Sequence, residues 1–214
     1  MSIQIRNENE KDYVEVENLI RRSFYNLYIP GCMEHYLAHI MRDHKDFIKE
    51  LDFVLEKDGK IIGQIMYTKA VLVDENKERK EILTFGPICV DKAYQREGYG
   101  KMLIEHSFEK AKELGYDCVV IFGNPGNYVS RGFKSCLRYN VCLEGDVYPS
   151  AMLVKVLKDG ALDGRKYYYY DSEVMHIDEK DAFAYDETFE EKLEKQELPC
   201  QEEFFIHSHA VLNP

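Results

Sequence analysis

The stretch GPICVDKAYQREGYGKMLIE, residues 86–105, decides the fold. Its apolar run ends at Val90, a polar loop follows, and a helix with one apolar stripe begins near Gly98. Glycines at the mouth of a helix, here Gly98 and Gly100, let backbone N–H groups approach an anion closely. The helix N-terminus adds partial positive charge. The stretch therefore predicts a strand, a phosphate-binding loop and a helix, in that order.

Other phosphate-binding loops have different sequence patterns. The nucleoside-triphosphate loop requires G-x-x-x-x-G-K-[ST], and the dinucleotide fingerprint requires G-x-G-x-x-G. The order here is Q-x-x-G-x-G, from Gln95 to Gly100. No acidic ribose partner follows these glycines, which disfavours a nucleotide-dependent oxidoreductase. A Gly-x-Gly pair alone is equally compatible with a plain glycine turn, so the assignment depends on the residues that follow.

The residues after this loop support a crossover unit. The helix is predicted from 98 to 114 and ends at Gly115, and the apolar run 118–122 predicts a buried strand. A strand, a helix and another strand in this order place the two strands side by side and parallel. The run CVVIFGNPGNYVSRGF, 118–133, then follows that strand with a loop rich in Gly, Pro and Asn.

The chain before residue 86 predicts antiparallel strands and two helices. Asp58 and Gly59 form a hairpin signal. Asn7 or Asn9 is expected to cap the first helix. The predicted elements are a strand at 3–5, helices ending near 25–28 and spanning 33–41, and strands at 53–55, 61–73 and 82–90. With the crossover unit, they make a mixed sheet of the α/β (α+β) class.

The chain after residue 133 predicts two more strands and a tail of different composition. The strands are expected around 139–143 and 152–157, and acidic residues and tyrosines dominate from Lys158 onward. Within the tail, 167–170 predicts an edge strand and 187–196 a solvated acidic helix. We therefore divide the chain into a domain at 1–157 and an extension at 158–214 that packs on it.

Composition limits the classes of function. The net charge of −11 disfavours nucleic acid, because phosphate backbones are held mainly by Lys and Arg. It fits a cationic partner, although an acidic surface also serves solubility alone. The 6 cysteines contain no C-x-x-C pair and predict reduced core thiols. The N-terminal residues lack an apolar signal region, and no apolar run is long enough for a bilayer. We expect a cytoplasmic protein without membrane contact.

Two signatures together resemble the GCN5-related N-acetyltransferase (GNAT) superfamily. The first, Q/R-x-x-G-x-G/A after a strand, is matched by Gln95, Gly98 and Gly100. The second, a Tyr four residues before a Gly-Phe pair, is matched by Tyr128 with Gly132-Phe133. The resemblance covers roughly 3–157. Within the superfamily, GNPGNYVSRGF and the later KDGALDG are similar to a bacterial branch of predicted acetyltransferases.

The resemblance implies an acyl-CoA N-acyltransferase fold, in which a central pair of parallel strands splays apart to admit the pantetheine arm. Acetyl-CoA is then the acetyl-donor co-substrate. By resemblance, the first splayed strand and the loop bind it. The implied cofactor-binding residues are Ile88, Cys89, Val90, Gln95, Arg96, Glu97, Gly98, Tyr99, Gly100, Lys101 and, in the second loop, Asn124.

Tyr128 is the candidate catalytic residue. A phenol with a pKa near 10 is protonated at neutral pH and can protonate a departing thiolate. No general base is assigned, because the first splayed strand offers no interior carboxylate; Glu50, Glu81, His35 and Tyr67 stay open. Cys89 lacks an aligned His base, so packing is expected of its side chain. The histidine spacings do not match a metal motif, and no metal is expected.

The sequence therefore predicts an N-acetyltransferase. It moves acetyl from acetyl-CoA to a primary amine of an unidentified small molecule or peptide, by direct attack through a tetrahedral intermediate. The alternative is a non-catalytic acyl-CoA-binding sensor or scaffold, for which the loop would look the same. A homodimer is a further open alternative, because such sheets often pair.

Overall fold

The computed structural model describes residues 2–213, which form a 9-stranded mixed sheet with helices on both faces and a separate 2-stranded sheet of Tyr148–Pro149 and Val211–Leu212. The strands are β1 (Ile3–Asn7), β2 (Phe53–Lys57), β3 (Lys60–Asp74), β4 (Arg79–Val90), β5 (Cys118–Phe122), β6 (Lys134–Ser135), β7 (Val141–Cys142), β8 (Tyr148–Pro149), β9 (Met152–Val156), β10 (Tyr167–Tyr170) and β11 (Val211–Leu212). The helices are α1 (Tyr13–Phe24), α2 (Glu34–Met41), α3 (Tyr99–Glu113), α4 (Pro125–Tyr128), α5 (Glu179–Asp186) and α6 (Pro199–His209).

The main sheet has the strand order β1-β2-β3-β4-β5-β9-β6. Antiparallel hairpins join β2, β3 and β4. Asp58 and Gly59 have φ values of +51° and +81°, as a two-residue hairpin turn requires. The crossover through α3 makes β4 and β5 parallel. The predicted fold class, a mostly antiparallel mixed sheet with a central parallel pair, is confirmed.

The parallel strands β4 and β5 separate soon after they meet. They pair at Leu83 and Val119, and no further β4–β5 pair occurs within residues 2–213. A β-bulge contributes to this geometry, because the β3–β4 register shifts between Tyr67, opposite Phe85, and Ile65, opposite Ile88. A bulge bends its strand and increases the local twist. The end of β4 therefore has a backbone edge that β5 does not cover.

The helices bury apolar side chains against opposite faces of the sheet. Leu103, Ile104 and Phe108 of α3 pack on one face. Leu19 of α1 and Leu37 of α2 pack on the other. The sheet thus lies between α3 and the α1–α2 pair, and the parted end of β4 lies between these two layers.

Several element boundaries differ from the expectations. Helix α1 begins after Asp12, so neither Asn7 nor Asn9 is its N-cap. The Asp12 carboxylate binds Arg6, 2.6 Å away, and does not cap the helix. The strand predicted around 139–143 is reduced to β7, because a 3-10 turn occupies Cys136–Tyr139.

Strand β10 is not the predicted edge strand. It pairs antiparallel with β3, where Tyr170 lies opposite Val71, and parallel with β7, where Tyr168 lies opposite Cys142. Its tyrosines alternate between a buried and a more exposed face. The strand is therefore paired on both sides, and it joins the region after residue 157 to the sheet.

The segment 187–196 is not the predicted acidic helix. It begins with a turn and continues through bends into irregular backbone, and two of its carbonyl oxygens accept hydrogen bonds from α1 and the residue that follows that helix. Arg21 Nη1 donates to the Glu191 carbonyl at 2.8 Å, and the Tyr25 hydroxyl donates to the Leu193 carbonyl at 2.9 Å. A helix needs those carbonyls for its own ladder, so these contacts replace it.

The region after residue 157 also contacts the rest of the chain through side chains. Arg21 Nε of α1 lies 2.6 Å from Asp186 Oδ1 of α5, and both side chains are buried. The Phe204 ring of α6 lies 4.2 Å, between centroids, from the Tyr28 ring. The division at residue 157 stays a prediction. None of the helices within residues 2–213 has the length and apolar composition needed to cross a bilayer.

Candidate active site

The loop between β4 and α3 presents unpaired backbone donors. Gly98 is the N-cap of α3 with φ +91°, and no side chain caps the helix. The N–H groups of Gly98, Tyr99, Gly100 and Lys101 donate to no acceptor within the described part of the chain. A left-handed φ favours glycine at position 98. These donors and the helix dipole form the anion-binding loop that the sequence predicted.

The parted end of β4 adds a second row of unpaired backbone groups. Asp91 N–H donates to the Ile62 carbonyl of β3 at 2.8 Å. Since backbone groups alternate direction along a strand, those of Cys89 also face β3, and those of Ile88 and Val90 face the gap toward β5. Among the three predicted strand residues, a ligand in the gap can therefore reach both backbone groups of Ile88 and the N–H of Val90, whose carbonyl accepts a hydrogen bond from the Gln95 side chain.

The side chains of the loop have different environments. The Gln95 amide donates to the Val90 carbonyl at 3.0 Å and ties the loop to the end of β4. Glu97 lies 3.5 Å from Lys57, and Lys101 lies 3.6 Å from Glu105. Arg96 is exposed, with φ +67° and no ion pair among residues 2–213. Arg96 is thus the loop cation available to a phosphate.

Tyr99 has a structural position within the same loop. Its side chain is buried in the cluster beneath α3. The Lys57 Nζ atom lies 5.0 Å from the centroid of its ring, which is within cation–π range. Its backbone N–H is open to a ligand, but its ring is not.

Tyr128 lies where β4 and β5 begin to separate. Its ring centroid is 5.8 Å from that of Phe85, two residues beyond the paired Leu83, and 5.6 Å from that of Phe133. A Cβ atom built on Gly123 would lie 2.6 Å from Tyr128 Cε2. Position 123 therefore has to be glycine for the tyrosine ring to occupy this place.

The Tyr128 hydroxyl is protonated at neutral pH and has no protein partner. Burial, with smaller effects from neighbouring groups including Tyr28, raises the pKa of Tyr128 well above its usual value. The hydroxyl makes no hydrogen bond within residues 2–213. A neutral phenol without a partner is available to donate a proton to a ligand.

Asn124 serves first as a turn residue. Its side-chain oxygen accepts a hydrogen bond from the Gly126 N–H at 2.9 Å and caps the short helix α4. The predicted contact of Asn124 with a cofactor is therefore limited to its exposed amide nitrogen, and it stays a prediction.

The Cys89 thiol is not a nucleophile in this environment. The side chain is buried in the cluster between the sheet and the α1–α2 layer. Burial raises the pKa of Cys89 to about 12. Since the thiolate is the reactive form, the neutral thiol serves packing, as the sequence predicted.

None of the four candidate bases considered in the sequence is well placed. His35 is buried beside Cys32 and Asp186, and burial lowers its pKa to about 4. The Tyr67 hydroxyl is 2.7 Å from Ser107 Oγ beneath α3. The other two are exposed carboxylates outside the parted end of the strands, Glu50 in the 3-10 turn before β2 and Glu81 near the start of β4.

The sequence predicts neither Tyr28 nor Glu34 as a site residue. Burial and the Glu34 carboxyl raise the pKa of Tyr28, and Tyr28 in turn contributes to the raised pKa of Tyr128. Both residues lie around the α1–α2 connection, far from the signatures in sequence.

The chain matches the model of the acetyltransferase (GNAT) family over residues 14–134 and therefore belongs to that family. The matched region contains the anion-binding loop, the parted strands and Tyr128. Family membership confirms the resemblance and the predicted class of enzyme, an N-acetyltransferase.

Similar proteins include the uncharacterized N-acetyltransferase YhbS of Escherichia coli, which is 29% identical over 161 residues, covering 75% of this chain and 90% of that protein. A crystal structure of YhbS from Escherichia coli in complex with CoA is similar at TM-score 0.70 and 26% identity, covering 81% of this chain and 91% of that one. A GNAT family acetyltransferase from Brucella melitensis in complex with acetyl-CoA shares the fold, at TM-score 0.63 and 21% identity, covering 82% and 99%.

Proposed function

We propose that this acetyl-CoA-dependent N-acetyltransferase transfers acetyl to a primary amine of a small molecule or peptide, by direct attack through a tetrahedral intermediate. The proposal rests on two sets of unpaired backbone groups that lie next to each other, one in the loop before α3 and one at the end of β4. One set, at Gly98 to Lys101, suits a pyrophosphate. The other, both backbone groups of Ile88 and the N–H of Val90, suits an extended amide-containing arm. Coenzyme A has both parts, joined in this order, and the CoA complex of the related YhbS supports the assignment.

The loop would bind the pyrophosphate through backbone N–H groups and the Arg96 side chain. The Gln95 amide, which binds the Val90 carbonyl, keeps the loop and the strand end in register. The pantetheine amides would add to the open edge of β4 as another strand does. Because the binding groups belong to the backbone, we expect a change of loop conformation, at Gly98 in particular, to weaken binding more than the loss of most loop side chains.

Bound this way, the thioester carbonyl lies near Tyr128. The amine nitrogen attacks the carbonyl carbon, and an N–H group of the β4 edge near Val90 stabilises the oxyanion. Loss of one such donor typically costs about 3 kcal/mol of transition-state stabilisation. As the C–S bond breaks, the Tyr128 hydroxyl donates its proton to the thiolate sulfur. Its raised pKa keeps that proton in place until the thiolate forms.

The Tyr128→Phe variant tests this role. We expect it to bind coenzyme A with unchanged affinity and to reduce kcat about 10²-fold, the lower range for loss of one general acid. Binding is measured by calorimetry, and turnover by release of the coenzyme A thiol with polyamines, amino sugars, amino acids and basic peptides. An unchanged kcat would remove Tyr128 from the mechanism.

The same assay separates catalysis from the alternative of a non-catalytic sensor. A sensor would bind acetyl-CoA without amine-dependent thiol release, whereas the enzyme releases thiol in proportion to amide formed. A wild-type chain that turns over with any amine of the panel excludes the sensor. The cytoplasmic location and a homodimer remain predictions from the sequence.

A further inference from the structure

The two faces of the gap between β4 and β5 differ in what lies on them. The anion-binding loop leads into α3, and the Tyr128 ring packs with Phe85 in the cluster beneath that helix. A cofactor held by these groups occupies the α3 face of the gap. The thioester carbon is then open to a nucleophile from the other face, the one toward the α1–α2 layer.

Phe122, the last residue of β5, exposes its ring on that other face. Side chains alternate along a strand. Ile121 belongs to the cluster beneath α3, whereas Val120 belongs to a cluster on the opposite face, so Phe122 points the same way as Val120. Phe122 is 49% exposed. The next residue is Gly123, whose missing side chain makes room for the Tyr128 ring. An exposed aromatic ring therefore lies at the end of the strand that borders the gap.

Two residues from the region after residue 157 pack around the same place. The Tyr169 ring of β10 lies 5.9 Å, between centroids, from the Phe122 ring. Tyr169 is buried, and its strand is held by pairing with β3 and β7. Met175 lies on the β4 side of the gap, where its Cε atom is 3.8 Å from a Cβ atom built on Gly86. Gly86 is three residues beyond Leu83, where β4 pairs with β5.

The glycine at position 86 leaves space on this face of β4. Apart from its neighbours in sequence, only Met175 Cε among residues 2–213 lies within 4 Å of the place where its Cβ atom would be. A methionine side chain is flexible and adapts its shape to what it packs against. This face of the gap thus has an exposed ring on one strand and no side chain at the facing part of the other, which admits an apolar group.

The end of α6 lies beside the same end of β5. Ser150 donates its N–H to the Ala210 carbonyl at 2.9 Å and its hydroxyl to the His207 carbonyl at 2.8 Å. The next residue, Ala151, accepts a hydrogen bond from the Gly123 N–H at 2.9 Å. The region after residue 157 therefore borders this face of the gap at β10, at the turn after it and at the end of α6.

We propose that the Phe122 ring, backed by Tyr169 and with Met175 on the facing strand, binds the acceptor, and that the acceptor is a primary amine that carries an aromatic ring. The inference rests on the proposed acetyl transfer and names its substrate class. The ring of the acceptor covers the exposed ring of Phe122, and the amino group extends into the gap toward the thioester. Removing apolar surface from water and pairing two aromatic rings both favour binding. The net charge of −11 attracts the ammonium form of such an amine.

Linear polyamines and amino sugars gain less from this surface. Their polar groups would lose water beside aromatic and thioether side chains, which offer no strong hydrogen-bond partner in exchange. An alkylamine without a ring keeps the reacting nitrogen but leaves Phe122 exposed. A pair of amines that differ by one ring therefore isolates the contribution of the surface.

The test compares phenethylamine with ethylamine in the thiol-release assay. Phe122→Ala removes the exposed ring, and Met175→Ala removes the contact from the region after residue 157. The control is Leu114→Ala. Leu114 is 46% exposed, close to the value for Phe122, and lies at the end of α3 opposite the anion-binding loop. Both kcat and KM are measured with each amine, and the affinity for coenzyme A is measured by calorimetry.

We expect the wild type to use phenethylamine with a kcat/KM at least about tenfold above that for ethylamine. Phe122→Ala should lower kcat/KM for phenethylamine about tenfold, mainly through KM, and change that for ethylamine by less than about threefold. Met175→Ala should show a smaller loss of the same kind. Leu114→Ala should match the wild type, and all four proteins should bind coenzyme A alike.

The outcomes separate this inference from the proposed function. Amine turnover by the wild type without a preference for phenethylamine, or with spermidine as the better substrate, overturns the substrate class and leaves the acetyl transfer standing. A preference that Phe122→Ala retains, or an equal loss with both amines, overturns the role of Phe122. An unchanged Met175→Ala removes Met175 from the surface. A wild type that binds coenzyme A but acetylates no amine overturns the proposed function and, with it, the inference.

Discussion

The glycine at position 123 provides a sharp test of how Tyr128 is held. A Cβ atom at Gly123 would lie 2.6 Å from Tyr128 Cε2. Carbon atoms in ordinary contact are about 3.5 to 4.0 Å apart, so Gly123→Ala forces the ring back by about 1 Å. Phe85 and Phe133 already occupy the space around that ring.

The expected effect of Gly123→Ala is on turnover rather than on cofactor affinity. A misplacement of about 1 Å typically costs about 10²-fold in rate, and the overpacking lowers the free energy of unfolding by about 1 to 3 kcal/mol. The affinity for coenzyme A should stay within about threefold, because the strain at Tyr128 lies away from the loop at Gly98. Thiol release gives kcat, calorimetry gives the affinity, and urea unfolding gives the stability.

Two comparisons make the test decisive. Val129→Ala trims an exposed side chain next to Tyr128 and should leave kcat unchanged. In the Tyr128→Phe background, Gly123→Ala should reduce kcat little further, since the hydroxyl that it displaces is already absent. Wild-type turnover in Gly123→Ala, or a full 10²-fold loss in both backgrounds, would refute the reasoning.

Two further predictions concern the contacts of the region after residue 157. Asp186→Asn leaves the buried Arg21 charge without its partner and should lower the free energy of unfolding by about 3 to 5 kcal/mol, measured by urea unfolding; Lys192→Met, which removes an exposed ion pair, should change it by less than about 1 kcal/mol. The pKa of His35 is about 4 in the folded chain, against the ordinary value of 6.5 expected in the unfolded chain. As the pH falls, His35 is therefore protonated in the unfolded chain before it is protonated in the folded chain. The contribution of neutral His35 to the free energy of unfolding is complete above pH 6.5 and should decrease by about 3 kcal/mol between pH 6.5 and pH 4. Urea unfolding across this range measures the decrease. The His35→Phe variant should not show this part of the decrease.

Local sequence patterns predicted the elements around the loop well. The strand at Cys118–Phe122 and the hairpin at Asp58 and Gly59 have the predicted bounds, because an apolar run and a turn pair each determine their own local structure. The loop at Gly98 and the position of Tyr128 beside the parted strands followed from two signatures at fixed spacing.

The errors fall where distant parts of the chain meet. The carbonyl groups of 187–196 are taken by α1, so the acidic pattern did not give a helix. Strand β10 pairs with β3 and β7 across long separations in sequence. Tertiary contacts override local propensity in each case.

Calorimetric titration with coenzyme A and with pantetheine tests the central claim most directly. Both compounds carry the arm that would add to β4, but pantetheine lacks the pyrophosphate that the N–H groups from Gly98 to Lys101 would hold. The account predicts one molecule of coenzyme A bound per chain, with an affinity at least about tenfold above that of pantetheine, equivalent to about 1.4 kcal/mol. No heat with coenzyme A, or equal affinities for the two compounds, would contradict it.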